Sequence, residues 1–560
     1  MKKICFLIIL GFGILLSKEL NSYGNPAPFE QLVNKQSYSL YLKYKDIIST
    51  YVHPEDLPDW AQMNPGKDGY EGTSTLLLYE YINSLNPVPQ PESVIVAIMD
   101  TGFDTDHPEL KNKIWRNEKE INGQPGVDDD GNGFVDDFYG WNFLGKAVNL
   151  NLEVTRELQR LKKENVPATD EYYKKVKEEY DSKKKETTEI FAFASETMKD
   201  YLKAENKLKE RNYPVEPVKL KEIISTLSGE YKEAANTILF LKMYYEMERD
   251  ELAELEKDYS VKMQCLFDTT SVYALIGDNP KVFDEKNYGD NDVKTKGETH
   301  STHVSGIIAA DKKGIGQAPF AKIMCLRVVP DEGDERDKDV ANGIRYAVDN
   351  GANIINMSAG KYFSPNSEYV TDAIRYAEKK GVLFVVAAGN EGTDIELKRN
   401  FPPKYYIENG EMKYFSNMIV AGANTWMKSW NSEKDPDNLA GGFDLVASFS
   451  NFSAKVVDLF APGLEINSTV PGGNYKRESG TSMAAPEVTG CAAILKGYFP
   501  DADARELKIL LTGSVRKYEG LSVKIKDSKS KVLFSSLSKT GGVIDVYEAF
   551  LMAKARYKMY

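Results

Sequence analysis

Between residues 321 and 388 the chain alternates short apolar runs with longer amphipathic stretches. Residues 321–329, 352–357 and 382–388 read as strands, and 339–350 and 369–380 as helices. Runs that are apolar throughout and too short for helices suit strands covered on both faces. A helix between successive strands is the crossover that parallel pairing requires. This alternation restricts the chain to an α/β fold: a parallel sheet between two layers of helices. Val94-Ile95-Val96-Ala97-Ile98-Met99 is a further run of this kind and ends in Asp100-Thr101-Gly102. Sites of open α/β sheets lie at the C-terminal edge, so this strand delivers a carboxylate where chemistry is expected.

Two other segments supply partners for that carboxylate. Ser479-Gly480-Thr481-Ser482-Met483-Ala484-Ala485-Pro486 precedes an apolar run, 488–495, that reads as a helix. At its N-terminus, unpaired N–H groups and the helix dipole favour developing negative charge. His300-Ser301-Thr302-His303-Val304 opens a second, small-residue helix. A serine hydroxyl becomes a useful nucleophile when an imidazole takes its proton, and a carboxylate fixes the imidazole tautomer. The order Asp, His, Ser is that of the subtilisin type, whereas an α/β-hydrolase esterase needs Gly-x-Ser-x-Gly and its acid between Ser and His. No cysteine stands in a polar setting: Cys325 and Cys491 lie in apolar segments, Cys265 pairs with no framework, and a cysteine-peptidase reading fails.

On these motifs the chain resembles the subtilisin-like serine peptidases, the subtilases. Val385-Val386-Ala387-Ala388-Gly389-Asn390-Glu391-Gly392 resembles the family's oxyanion segment, and Ile355-Asn356-Met357-Ser358-Ala359-Gly360 its cleft strand. Ser448–Ser453 and Asp458-Leu459-Phe460-Ala461-Pro462-Gly463 also fit, and the match covers roughly residues 57–145 and 288–515, resuming near Gly541. The resemblance implies a subtilisin-like fold and a serine endopeptidase acting on proteins or peptides through an acyl-enzyme. It implies catalytic roles for Asp100, His300 and Ser482, an oxyanion donor in Asn390, and substrate contacts from Ser358, Ala359, Gly360, Ala387 and Gly389. It implies no cofactor for the chemistry, and a structural role for His107. The chain departs from the family at Ser301 and Lys361, where glycine is usual, and at Glu487, where histidine is common. A catalytically weak or inactive scaffold whose inserted arm binds a partner is the alternative expectation.

At 560 residues the chain is long enough for two or three units, and its net charge of −13 argues against a nucleic-acid partner. Residues 1–24, with Lys2-Lys3 before an apolar 4–16, read as a signal peptide too short to leave a stable membrane span, which implies a secreted, periplasmic or cell-envelope protein. Residues 25–56 read as a short N-terminal extension. The catalytic domain is expected in two parts, 57–150 and 267–515, closed by an excursion and final helix over 516–560. Between the parts, 151–266 is rich in Lys and Glu, with apolar residues such as Ile190, Phe193, Met198, Leu202, Ile238 and Leu241 at helical spacing. It reads as an inserted helical hairpin, coiled-coil-like, that packs on itself and either limits which substrates reach Ser482 or docks a protein partner. Asp128, Asp130 and Asn132, followed by Gly133, match the first half of a calcium loop; the closing Glu is absent, with Tyr139 in its place, and a solvated acidic turn is the competing reading.

Overall fold

The computed structural model describes residues 57–558, apart from 245–248, 271, 281, 296, 298, 397–399, 430–443, 527 and 529. The expected signal peptide and the 25–56 extension lie outside the described residues. By their contacts the described residues fall into two compact units, 161–267 and the remainder.

The larger unit is built on a nine-stranded sheet. Its strands are β1 (Ile95–Asp100), β2 (Gly140–Asn142), β3 (Lys322–Arg327), β4 (Ile354–Met357), β5 (Leu383–Ala387), β6 (Met418–Asn424) and β7 (Leu459–Pro462). A separate hairpin, β8 (Ile466–Val470) and β9 (Asn474–Glu478), precedes the edge strands β10 (Arg516–Lys517) and β11 (Gly542–Val543). The order across the sheet is β10-β11-β7-β6-β5-β4-β1-β3-β2, parallel throughout except for the β10–β11 pair. β1 pairs with β3 on one side, Asp100 opposite Arg327, and with β4 on the other. The chain thus leaves β1 toward opposite halves of the sheet, which opens a crevice at the strand's C-terminal end. The parallel sheet between helix layers is the one that the alternation of runs predicts, and the subtilisin-like fold is the one that the resemblance implies.

Helices α1 (Glu153–Lys163), α2 (Glu171–Lys209), α3 (Gly229–Tyr244) and α4 (Arg249–Cys265) precede α5 (His300–Ala309), α6 (Asp337–Asp349), α7 (Ser367–Lys379) and α8 (Thr481–Tyr498). α5 and α8 pack together on one face of the sheet, and a glycine on each admits a neighbouring segment closely. A Cβ at Gly490 would stand 2.3 Å from the Cβ of Gln317, and one at Gly306 2.2 Å from Thr469 Oγ1. α6 and α7 cover the other face with Val340, Ile344, Ala347, Val370, Ile374 and Ala377, all buried. The excursion 518–539 forms a satellite core in which Val523, Phe534 and Leu537 meet Leu445, Val446 and Phe460.

In the smaller unit, α2 is 39 residues long, about 58 Å at 1.5 Å per residue. Asp170 caps it by accepting from the N–H groups of Tyr172 and Tyr173. α2 packs against both α3 and α4, so one long helix is answered by two shorter ones rather than by a single partner. Pro217 begins the short helix Pro217–Ile223 at a position where its missing N–H costs nothing. Ile190, Phe193, Tyr201 and Leu208 form the core with Ile238, Leu241, Leu252 and Tyr259. Leu202, expected in this stripe, is 37 % exposed: one residue past Tyr201, it lies about 100° further round the helix.

Candidate active site

Asp100 is the last residue of β1 and has no exposed surface. Its Oδ1 accepts from Thr101 N–H and from His300 Nδ1, each at 2.8 Å. Gly102 is required by close approach: a Cβ there would sit 2.5 Å from Thr295 Cα. Ser301, at the position where a glycine is usual, is buried and donates its hydroxyl to Gly102 O. The departure therefore adds a tie between the aspartate loop and α5. Thr302 Oγ1 accepts from Asp104 N–H at 3.0 Å, a second tie between the same segments.

The other described histidines are engaged elsewhere. His107 is 1 % exposed; Nδ1 accepts from Glu109 N–H and Nε2 donates to Asn474 O, each at 3.2 Å. His303, fully buried, donates Nε2 to Ile466 O and Lys476 O at 3.0 Å. Burial pushes its pKa down to about 4, against the pull of nearby Glu478. A neutral ring held between two strand carbonyls fastens the β8–β9 hairpin to α5.

Ser482 is the second residue of α8. Its Oγ donates to Ser358 O at 3.0 Å, and Ser358 Oγ donates to Ser482 O at 2.8 Å. Asn356 Nδ2 donates to Ser358 Oγ at 3.1 Å, and Asn356 Oδ1 accepts from Thr489 Oγ1 at 2.8 Å. The cleft strand and α8 are thereby fastened at two levels. Asn390 Oδ1 accepts from both the N–H and the hydroxyl of Thr481 at 2.8 Å, and Thr481 Oγ1 accepts from Gly389 N–H at 3.0 Å. With its oxygen held, the planar amide turns Nδ2 the other way. Thr481 was not singled out in the sequence; only its place in Gly-Thr-Ser could have signalled it.

Ser358, Ala359 and Gly360 follow β4, while Ala387 ends β5 and Gly389 lies two residues beyond, with φ +99°. A Cβ at Gly389 would come within 2.5 Å of Asn451 Nδ2 and 3.0 Å of Glu391 Oε2. Asn451 Nδ2 donates to Ala388 O at 3.0 Å and to Glu391 at 2.7 Å, and the Tyr362 hydroxyl donates to the same carboxylate. Glu487, five residues after Ser482, is 1 % exposed and accepts from Gln317 Nε2. Burial pushes its pKa well above the ordinary carboxylate value.

The acidic loop gathers differently from its sequence pattern. Asp128 accepts from the N–H groups of Gly131, Asn132 and Gly133, at 2.7, 3.1 and 2.8 Å. The carboxylates that converge are those of Glu120, Asp130 and Asp137, with oxygens within 4.8 Å of one another. Asn132 Nδ2 donates to Asp137 Oδ2 at 2.9 Å. Burial, and to a lesser degree Asp130, pushes the Asp137 pKa up to about 6 although Tyr346, Asn132 and Asn117 donate to it.

A parallel α/β sheet that brings an aspartate–histidine pair to its C-terminal edge, with a serine opening the buried helix α8 packed against α5, defines the class of subtilisin-like proteins. The chain belongs to the subtilase family, whose sequence profile matches residues 92–530. It is 37 % identical over 220 residues to thermitase of Thermoactinomyces vulgaris, covering 38 % of this chain and 67 % of that protein. To the thermophilic serine proteinase of Bacillus sp. (strain AK1) it is 36 % identical over 220 residues, 38 % of this chain and 47 % of that one. To the major intracellular serine protease of Bacillus subtilis (strain 168) it is 34 % identical over 236 residues, 40 % and 64 %. The chain thus spans from about half to two thirds of the length of these curated relatives. A solved cold adapted subtilisin-like serine proteinase matches with 26 % identity and a TM-score of 0.33, over 45 % of this chain and 77 % of that one.

Proposed function

We propose that the chain is a serine endopeptidase in which Ser482 attacks the peptide carbonyl, His300 is base and then acid, Asp100 orients the ring, and Asn390 with the Ser482 N–H binds the oxyanion. One observation carries this reading: the 2.8 Å hydrogen bond between His300 Nδ1 and Asp100 Oδ1, joining residues 200 apart at the sheet edge. With Nδ1 donating to a buried carboxylate, the neutral ring presents Nε2 as its basic nitrogen. As the Oγ–carbon bond forms, the Ser482 proton passes to Nε2, and the carbonyl oxygen takes the negative charge. Asn390 Nδ2, turned by the Thr481 clamp on Oδ1, meets that charge together with the N–H groups at the start of α8. The imidazolium then protonates the leaving amine as the C–N bond breaks, and water hydrolyses the acyl-enzyme by the reverse sequence. Side-chain and backbone groups of the chain supply this chemistry, and the substrate chain lies between Ser358–Gly360 and Ala387–Gly389.

The inactive-scaffold reading draws on one feature, the Ser482 hydroxyl turned to Ser358 O. Rotation about a single Cα–Cβ bond redirects it, and catalytic hydrogen bonds commonly tighten only with substrate bound. The test is turnover of a fluorogenic peptide library by the native chain and by Ser482→Ala. The variant is expected to lose activity on the order of a millionfold, the loss seen when the nucleophile is removed from subtilisin. Full activity in Ser482→Ala refutes the proposal.

Glu120, Asp130 and Asp137 form the oxygen-only donor set that a structural calcium ion takes. An ion there neutralises three converging carboxylates and takes no part in bond cleavage. Residues 161–267 are assigned no chemical step; they govern access of large substrates or dock a protein partner. Export rests on residues 1–24 alone, since one relative is named an intracellular protease. No described helix is long and apolar enough to cross a membrane.

A further inference from the structure

We propose that Lys361 is a positioning residue for substrate: its buried ammonium locks the end of the cleft strand to α1 and to the N-terminus of α6. The inference rests on the serine-peptidase reading and adds to it a residue that the motifs do not supply. Segment 358–361 is held at its start by the two hydrogen bonds between Ser358 and Ser482. At its end Lys361 pairs with Phe401, N–H to O at 3.1 Å and O to N–H at 2.9 Å. The side chain then turns inward, 3 % exposed, and meets three acceptors: Glu153 Oε2 at 2.7 Å, Asp337 Oδ1 at 2.9 Å and Glu335 O at 2.7 Å. Two of the ammonium's three N–H donors are thus hydrogen-bonded, to Glu153 and to Glu335 O, and Asp337 stands beside it as an ion-pair partner.

The acceptors are themselves fixed. Glu153 is bonded by Arg156 Nη2 at 2.8 Å, and that guanidinium also donates to Asp334 O at 3.0 Å. Asp337 accepts from Ser364 Oγ at 2.7 Å and from Asn366 N–H at 2.8 Å. Burial opposes charge on both Lys361 and Glu153, yet the paired charges win: the lysine pKa is raised, and that of Glu153 is held down to about 2. A glycine at this position could make none of these ties. The segment that pairs with the substrate backbone would then be held only by Ser358 and by the Phe401 bridge. An error of about 1 Å in such a segment costs up to about a hundredfold in rate. Because α1 carries the chain into residues 161–267, the first turn of that connection belongs to the frame of the substrate site.

A buried ion cluster can also serve stability alone, so the test separates the two roles. The variants are Lys361→Arg, and Lys361→Met combined with Glu153→Leu, which removes two opposite charges together. The probes are tetrapeptide amides differing in the residue before the cleaved bond, and a small fluorophosphonate that reacts with Ser482 without pairing along the strand. The double variant should label within about threefold of the native rate, while kcat/KM for tetrapeptides falls about ten- to a hundredfold, mainly through KM and with a changed order of preference. Lys361→Arg should restore most of that loss. A double variant with lowered Tm but tetrapeptide KM values unchanged overturns the inference. If the double variant does not fold, Glu153→Gln decides: a KM raised severalfold supports the inference, and an unchanged KM overturns it. Native protein that neither labels nor cleaves overturns the peptidase reading and this inference with it. Labelling with unaltered KM in the variants overturns this inference alone.

Discussion

Replacing His303 by glutamine should change how stability depends on pH, in a direction and size that follow from its burial. The imidazole is fully buried, Nε2 donates to Ile466 O and Lys476 O, and Nδ1 has no hydrogen-bond partner among the described residues. Protonation would place a charge and an unpaired N–H in that site, which is why burial depresses the pKa from 6.5 to about 4. Between these two values the unfolded chain binds a proton that the folded chain does not. Stability from this group is therefore complete above pH 6.5 and lost as the pH falls through 4. The interval is about two to three pH units, so the loss is roughly 3 kcal/mol. Glutamine places an amide N–H₂ near the Nε2 position and does not titrate, so His303→Gln carries an offset independent of pH but not this slope. Urea unfolding from pH 4 to 7, in a Ser482→Ala background to suppress self-cleavage, measures the difference. The stability advantage of His303 over its glutamine replacement should shrink by about 1.4 kcal/mol per pH unit below 6.5. A difference constant to within about 0.5 kcal/mol over this range would refute the picture of a neutral, buried clamp.

Asn390→Ala should lower kcat about a hundred- to a thousandfold with little change in KM, and Thr481→Val, which removes one of the two donors to Asn390 Oδ1, should lower it by a smaller factor; equal activity of both variants and the native chain would exclude the oxyanion assignment. Calcium at a hundred times its Kd should stabilise the fold by about 2.7 kcal/mol, and Asp137→Asn should abolish that gain; identical melting curves with calcium and with chelator would leave only an acidic turn. Exchange of residues 164–266 for a short Gly/Ser linker, with Glu153 and Arg156 retained, should leave cleavage of small peptides within about tenfold while altering cleavage of folded proteins. Loss of small-peptide turnover in a folded variant of that kind would bring the insertion into the catalytic machinery.

Much of this molecule is legible in one dimension because the signals are local. Apolar runs of strand length, helices between them and a carboxylate closing residues 94–100 predict the parallel sheet and its active edge; β1, β3, β4 and β5 lie within one or two residues of the runs that announce them. Gly-Thr-Ser, His-Ser-Thr-His and Ala-Gly-Asn carry their chemistry in adjacent residues, so their order alone identifies the family. Burial and hydrogen-bond partners are set instead by segments that meet only after folding. Nothing near Ser301 in the chain shows that its hydroxyl would reach Gly102 O, 199 positions away. Nothing near Lys361 shows that Glu153 waits 208 positions upstream, where a lysine on a cleft strand would otherwise look like a lost glycine. The acidic loop makes the same point: alternate spacing singles out Asp128, Asp130 and Asn132, but the chain turns Asp128 back onto its own N–H groups and brings Glu120 and Asp137 to Asp130. Residue type and spacing determine which groups are available, and the packing of helices on the sheet decides which of them meet, because a hydrogen bond is made or lost over less than 1 Å.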